Sequence, residues 1–458
     1  MRKPFLCFVF VIFCLFSGCS RMPSAVSLSL SSAEESSRPL AASSQIDSSA
    51  LSSAFDSSEA ASVSSKAAVS SQKEESVSET TAEKPSSMAT TSVPAPVYSA
   101  PKPVSGETKA VWVSQFDLQN VLKTNGAQRD RETFTALFGQ MMDNIKSYGF
   151  NTVFLQARPY SDSFYPSEYF PWSDMVVSSF GEDAEYDPYG IMVTEARKRG
   201  LSVHGWINPL RAMTDSEIKL VDDRFPIKQW YNDPDKRGKN IVLKDGRWYY
   251  NSSVPEVRQL IADGAKELLS KYQLDGIHID DYFYYSDSLD AVSAMVKGIY
   301  DAVKSVNSKA QFGVAPEGNV DRDYSVHFAD VKTWCSEKGY IDYICPQIYY
   351  GMEHATHAFD RVVAEWNSFI TEESGVYLLA GMTLGKAGGT DQYAGASGRE
   401  EWQRHDDILK RSMIETRKQS HAAGFALFCY QYLFDPLTGA KVERTAAEVE
   451  NFLPELKK

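Results

Sequence analysis

Cysteine is scarce in this chain, and its placement excludes more than its number does. Of six cysteines, Cys7 and Cys14 lie in the first apolar run and Cys19 lies just behind it. Only Cys335, Cys345 and Cys429 remain, an odd set without regular spacing, so no disulfide framework is signalled. Cys345 and Cys429 sit inside apolar runs and read as buried thiols. There is neither a CxxC pair nor an HExxH, so no metal site is expected, and no cofactor is signalled. Aromatic residues are missing from a long stretch: between Ser20 and Val97 Phe55 stands alone, and the first tryptophan is Trp112. Such a Ser-, Ala- and Glu-rich segment cannot bury enough apolar surface to offset its ordering entropy and is expected to be disordered. Basic charge is also lacking. The formal charge of −13 falls to −15 once Arg2 and Lys3 leave with a signal segment. Without a basic stripe to meet phosphates, nucleic acid is not an expected partner.

What is present at the N-terminus reads as an address. Arg2 and Lys3 precede an apolar run from Phe5 to Phe16, too short to span a bilayer and fitting a signal h-region. The following Ser17-Gly18-Cys19 resembles the lipobox of bacterial lipoproteins, in which the cysteine becomes the lipidated first residue. Ordinary cleavage near Ser17 without an anchor is the alternative. The expected organisation is a signal peptide over 1–18, a disordered linker over 19–105 and a folded domain over 106–458. A tether of ~86 residues reaches roughly 50 Å. The expected location is therefore outside the cytoplasm, anchored to the cell membrane through Cys19. No obligate protein partner is evident.

The folded part alternates short apolar runs with amphipathic segments. Strands are predicted near 110–116, 151–157, 202–208, 276–283, 311–317, 341–349, 376–384 and 425–432. Phe134, Leu137, Phe138, Met141, Met142, Ile145 and Tyr148 keep helical spacing, as do Val257, Leu260, Ile261, Ala265, Leu268, Leu269 and Tyr272. Asp187-Pro188 reads as an N-cap with proline at the first helical position, and Ser253 with Glu256 as a capping box. Gly149, Gly200, Gly339 and Gly424 read as C-caps. Eight β-then-α units point to an α/β fold, a (β/α)₈ TIM-type barrel. The competing doubly wound sheet lacks GxGxxG after its first strand. Pro346 conflicts with its place inside a central strand. Long loops follow the second and third strands, and the latter holds Asp245-Gly246, a hairpin-tip signal.

Polar residues gather at the C-terminal ends of these strands, where barrel enzymes bind substrate. They include Gln156 and Arg158, then His204, Trp206, Asn208 and Arg211, then His278, Asp280, Asp281 and Tyr282. Later ends supply Glu317 and Asn319, Gln347 and Tyr349, and Tyr430. Alternation sends His278, Asp280 and Tyr282 to one face and Ile277 and Ile279 toward the helices. Asp280 is thus expected at the mouth, whereas Asp281 is either a second catalytic carboxylate or a loop cap. Glu317 closes the adjacent strand, and paired carboxylates are the minimum apparatus of glycoside hydrolysis. Trp172, Trp206, Tyr282 and Tyr349 suit the apolar faces of sugars, although each could equally be core.

The segments VWVSQF, NTVFLQARPYSDSFYPSEYFPWSD, DPYGIMVTEARKRGLSVHGWINPLR, DGIHIDDYFYY, FGVAPEGN and DYICPQIYYG resemble the bacterial glycosyl-hydrolase-like 10 family. The likeness spans about residues 107–435. It implies a (β/α)₈ barrel, an exported and often lipid-anchored protein, and a glycan substrate, peptidoglycan foremost. Asp280 and Asp281 match the family's most recognisable motif. An Asp nucleophile on the fourth strand with a Glu acid on the fifth, here Asp280 and Glu317, is also the layout of the alpha-amylase family. Glu168 and Asp174 are further candidate carboxylates. The run from Asp275 to Asp280 imitates a chitinase DGxDxD, but Tyr282 occupies the place of the required acid. A non-catalytic carbohydrate-binding or scaffolding lipoprotein stays open, as does a metal-dependent hydrolase built on His204, His278 and Asp280.

Overall fold

A computed structural model describes residues 106–280 and 288–458, so Cys19, Asp281 and Tyr282 lie outside the described residues. Eight parallel strands close into a barrel. They are β1 (Thr108–Val113), β2 (Thr152–Arg158), β3 (Ser202–Ile207), β4 (Gly276–Asp280), β5 (Gln311–Ala315), β6 (Tyr343–Ile344), β7 (Tyr377–Thr383) and β8 (Ala422–Phe428). Each strand pairs with its sequence neighbours, and β1 pairs with both β2 and β8. The (β/α)₈ expectation is the fold observed.

Strand alternation divides the apolar residues into two clusters. Val111, Val153, Val203, Ile277, Ile279, Phe312, Val314 and Leu378 face outward into the layer between sheet and helices. Trp112, Phe154, Trp206, Ala315, Tyr343, Cys345 and Leu379 fill the interior. Both periodic segments form helices, Arg131–Tyr148 and Pro255–Lys271, and bury the faces read from the sequence. Asp187 caps the helix Pro188–Lys198, and Gly149 ends its helix at φ 102°.

Three local expectations are corrected. The capping box at Ser253 does not form: Val254 is the N-cap residue without a side-chain bond, Pro255 opens the helix, and Glu256 turns to Lys236 and Asn240. Gly424 is no C-cap. It lies within β8 at φ 147°, where a Cβ would collide with the backbone of Thr108 on β1. The sixth strand shrinks to two residues because Pro346 has no N–H for the ladder, although its carbonyl still accepts from Gly381. The hairpin does form: Ile241–Lys244 and Arg247–Tyr250 pair antiparallel across Asp245 and Gly246, both at positive φ.

Candidate active site

A run of amide hydrogen bonds crosses the C-terminal ends of four strands. Gln115 follows β1, and its backbone N–H donates to Gln156 Oε1 at the end of β2 (2.6 Å). Gln156 Nε2 donates to Asn208 Oδ1 just beyond β3 (2.7 Å). Asn208 Nδ2 then donates to both carboxylate oxygens of Asp280, at 2.7 and 2.6 Å, where β4 ends. At the other end Gln115 Nε2 donates to the Tyr160 hydroxyl (2.8 Å). All four relay residues from Gln115 to Asp280 are buried. Each amide can satisfy its acceptor only in one orientation, so the chain fixes the Asp280 carboxylate in place before substrate arrives. Asn208→Ala is expected to lower kcat ten- to hundredfold with little change in KM, the range typical of lost ligand-orienting contacts (about 10–100-fold). A steady-state comparison with the parent checks it.

Glu317 stands two residues beyond Ala315, which pairs with Asp280 across β4 and β5. Arg322 Nε reaches both its oxygens at 2.9 and 3.0 Å, and His327 Nε2 lies 3.0 Å from Oε2. Burial by itself would raise this carboxyl, but the hydrogen bonds from His327 and Arg322 outweigh it and hold the pKa below the usual range. A general acid must keep its proton near neutral pH. Glu317 is arranged for the opposite task, that of a standing negative charge.

The two strand histidines lie below the mouth. His278 stacks on Phe154 at 4.1 Å and is fully buried. Trp112 Nε1 donates to His278 Nε2 (3.1 Å), so that nitrogen carries no proton. Neutral His278 must therefore bear its proton on Nδ1 and donate it to the Tyr343 hydroxyl (3.0 Å). Tyr343 has one hydroxyl proton left, and it goes to His204 Nδ1 (2.9 Å). Both nitrogens of His278 are thereby committed, which leaves it none to ligate a metal or a sugar. Burial lowers the His204 pKa to about 4, against a weaker opposing pull from Asp275, and lowers that of His278 well below normal. Protonation of His204 is thus disfavoured in the folded state. Its contribution is fully present above the unfolded pKa of 6.5 and is lost as pH falls through about 4. The unfolding free energy of the wild type relative to His204→Gln should drop by about 3 kcal/mol between pH 6.5 and 4, as urea titrations at the two values would read.

Other predicted site residues fall into distinct places. Trp206 shares the interior face with His204 and Asn208, and its indole Nε1 is buried with no hydrogen-bond partner among the described residues. Gln347 donates to the Ala315 carbonyl, and Tyr349 packs 6.0 Å from Phe428. Arg158 is turned to the helix layer: it is fully buried, its guanidinium lies 3.8 Å from the Phe170 ring centroid, and it presses on Gly264. Tyr430 is buried against Phe434 and accepts from Asn144, apart from the relay. Asn319 caps the turn of helix Val320–Ser325. Glu168 is exposed, Trp172 and Asp174 are half-buried in the loop after β2, and the Asp174 carbonyl accepts from Lys123. Asp275 braces the opposite end of the barrel, bonded to Arg197, Ser202 and the Val203 N–H. Sequence reasoning missed Arg322, His327, Tyr343 and the exposed Phe116 beside Gln115. Only His327, a rare residue ten positions past Glu317, offered any signal.

The chain matches the family described as Glycosyl hydrolase-like 10 over residues 107–291 and 288–393, more than half its length. It belongs to the glycosyl hydrolase-like 10 family. Within reach of this family, glycosyl hydrolase YngK of Bacillus subtilis is 30% identical over 325 residues, covering 61% of each chain. The present chain thus spans about three-fifths of that relative's length. Glycosyl hydrolase DigH of Escherichia coli is 26% identical over 397 residues, covering 75% of this chain and 87% of its own. Among solved structures, the glycoside hydrolase domain of PgaB (BpsB) from Bordetella bronchiseptica aligns at 12% identity with a TM-score of 0.47, over 75% of this chain and 98% of that one. The first aspartate of the Asp280-Asp281 pair is the carboxylate that the amide relay grips.

Proposed function

We propose that this protein hydrolyses O-glycosidic bonds of an extracellular glycan, peptidoglycan, while tethered to the cell membrane through Cys19. Asp280 carries the reading. It is a buried carboxylate gripped through both oxygens at the mouth of a barrel whose family is that of glycosyl hydrolases. Asp280 would act at the anomeric carbon as nucleophile or base, and ionised Glu317 would stabilise the positive charge that develops there. The lipobox-like Ser17-Gly18-Cys19 and the composition of residues 19–105 support the anchored location.

Digestion of purified sacculi and of unrelated polysaccharides with the full chain tests the activity. Reducing ends released from sacculi are expected. Binding to sacculi without turnover, unchanged by Asp280→Asn, would favour the scaffolding alternative. Metabolic labelling with palmitate tests the anchor, and loss of label in Cys19→Ala is expected. Glu317 contributes its charge above its lowered pKa and loses it as pH falls through it, so its share of kcat/KM is lost on the acid side together with that of Asp280. Glu317→Gln is expected to reduce activity at every pH while the acid limb imposed by Asp280 remains.

A further inference from the structure

We propose that the layer between β2 and the helix Pro255–Lys271 holds a buried site for a small monovalent anion, chloride, with Arg158, Tyr165 and Tyr250 as its donors. The site lies behind the sheet, away from the barrel mouth, and stands whether or not the chain cleaves a glycan.

Arg158 is the last residue of β2, and its side chain is fully buried. One face of its guanidinium lies over Phe170, 3.8 Å from the ring centroid. Gly264 of the helix makes room for it, since a Cβ there would collide with Arg158 Nη1. With a ring on its face, the guanidinium has its edge as the polar outlet, where the N–H groups point. None of its three nitrogens has a hydrogen-bond partner among the described residues. The hydroxyls of Tyr165 and Tyr250, both fully buried, are in the same position. Tyr165 comes from the loop after β2 and Tyr250 closes the rim strand Arg247–Tyr250. Burial holds the Arg158 pKa below its usual value, against weaker pulls from Tyr165, Tyr250 and Glu267, so these are the groups around it.

A buried cation without a counter-charge is among the costliest arrangements in a protein interior. Glu267 is already engaged by Ser167 Oγ (2.5 Å), the Glu168 N–H (2.7 Å) and Lys271 Nζ (3.0 Å). Asp162, a carboxylate that Tyr250 feels, accepts the Tyr160 N–H (2.7 Å). Burial lifts its pKa to about 6, the reverse of what a guanidinium partner does to a carboxyl. Burial likewise raises both phenols, which stay neutral and offer a proton but no charge. What remains is a positive charge ringed by donors. A spherical anion accepts from all of them at once and needs no proton of its own. Full burial of the three side chains favours a small ion over an oxyanion such as sulfate.

The position gives such an ion a task. Arg158 stands two residues from Gln156 and two from Tyr160, the relay members on β2 and just beyond it. Tyr250 belongs to the rim sheet whose Arg211 and Arg247 place their guanidinium carbons 4.2 and 4.4 Å from the centroid of the Tyr160 ring. An anion shared by Arg158 and Tyr250 ties the end of β2 to that sheet.

The test follows the thermal midpoint of the full chain as chloride replaces gluconate at constant ionic strength. A saturable rise of about 3–5 °C is expected over the hundredfold range above half-saturation. Crystals grown in bromide should show an anomalous peak against the Arg158 guanidinium. Tyr250→Phe keeps the packing and removes one donor, so its half-saturating chloride concentration should rise about three- to tenfold. Arg158→Met should abolish the chloride dependence, and if that variant does not fold, the Tyr250→Phe shift and the bromide peak decide. A midpoint indifferent to the exchange would overturn the site. So would bromide found only on surface cations, or an unchanged half-saturation in Tyr250→Phe.

Discussion

Asp280→Asn is expected to lower kcat on a cleaved glycan about a thousandfold or more, with KM moving far less. The substitution keeps volume and shape but removes the charge that would attack or stabilise the anomeric carbon. Asn208 offers its amide N–H groups to position 280, and an asparagine there can still turn its carbonyl oxygen toward them. The fold should survive for that reason. The unfolding midpoint of the variant serves as the control, and reducing-end release serves as the readout. A variant that keeps a tenth of wild-type turnover would remove Asp280 from the chemistry.

Gly313→Ala is expected to destabilise the barrel by about 3–9 kcal/mol, a large part of the 5–15 kcal/mol typical of folded domains. Gly313 sits on the interior face of β5, directly opposite Tyr343 on β6. An added Cβ would penetrate the tyrosine ring, so the ring must move. Its hydroxyl is the joint between His278 and His204, and displacement leaves two buried ring nitrogens without partners. Overpacking accounts for about 1–3 kcal/mol and each orphaned polar group for about the same. Tyr343→Phe separates the two contributions, since it keeps the packing and removes only the hydroxyl. It should cost about two-thirds as much in urea unfolding. A Gly313→Ala protein with an unchanged midpoint would mean that the interior layer is looser than its geometry indicates.

Much of the scaffold was legible because it is written in local periodicities. Apolar faces at helical spacing, such as the one from Phe134 to Tyr148, need only one side of contact to be recognised. The strand alternation that put Ile277 and Ile279 outward and Asp280 inward also needs no tertiary knowledge. Alternation names a face but is silent about depth. His278 and Asp280 share that face, yet one is locked beneath Trp112 and Tyr343 while the other meets Asn208 at the rim. Arg158 and Tyr430 read as mouth residues because they are polar and near strand ends, and their destinations behind the sheet depend on Phe170, Gly264 and Phe434.

From sequence alone, then, came the eight-unit barrel, the polar crown on one end and the acidic motif that resembles the family. These follow from hydrophobic burial and backbone geometry, which act within a few residues of each other. Tertiary structure decided which polar groups were already spent. The relay from Tyr160 to Asp280 joins residues 45, 41, 52 and 72 positions apart. The ion pairs on Glu317, the tautomer chain through Tyr343 and the arginine pair on Tyr160 likewise exist only where folding brings donors and acceptors within about 3–4 Å. Hydrogen bonding and charge pairing act at contact range, so their partners are set by the closed barrel rather than by any spacing along the chain.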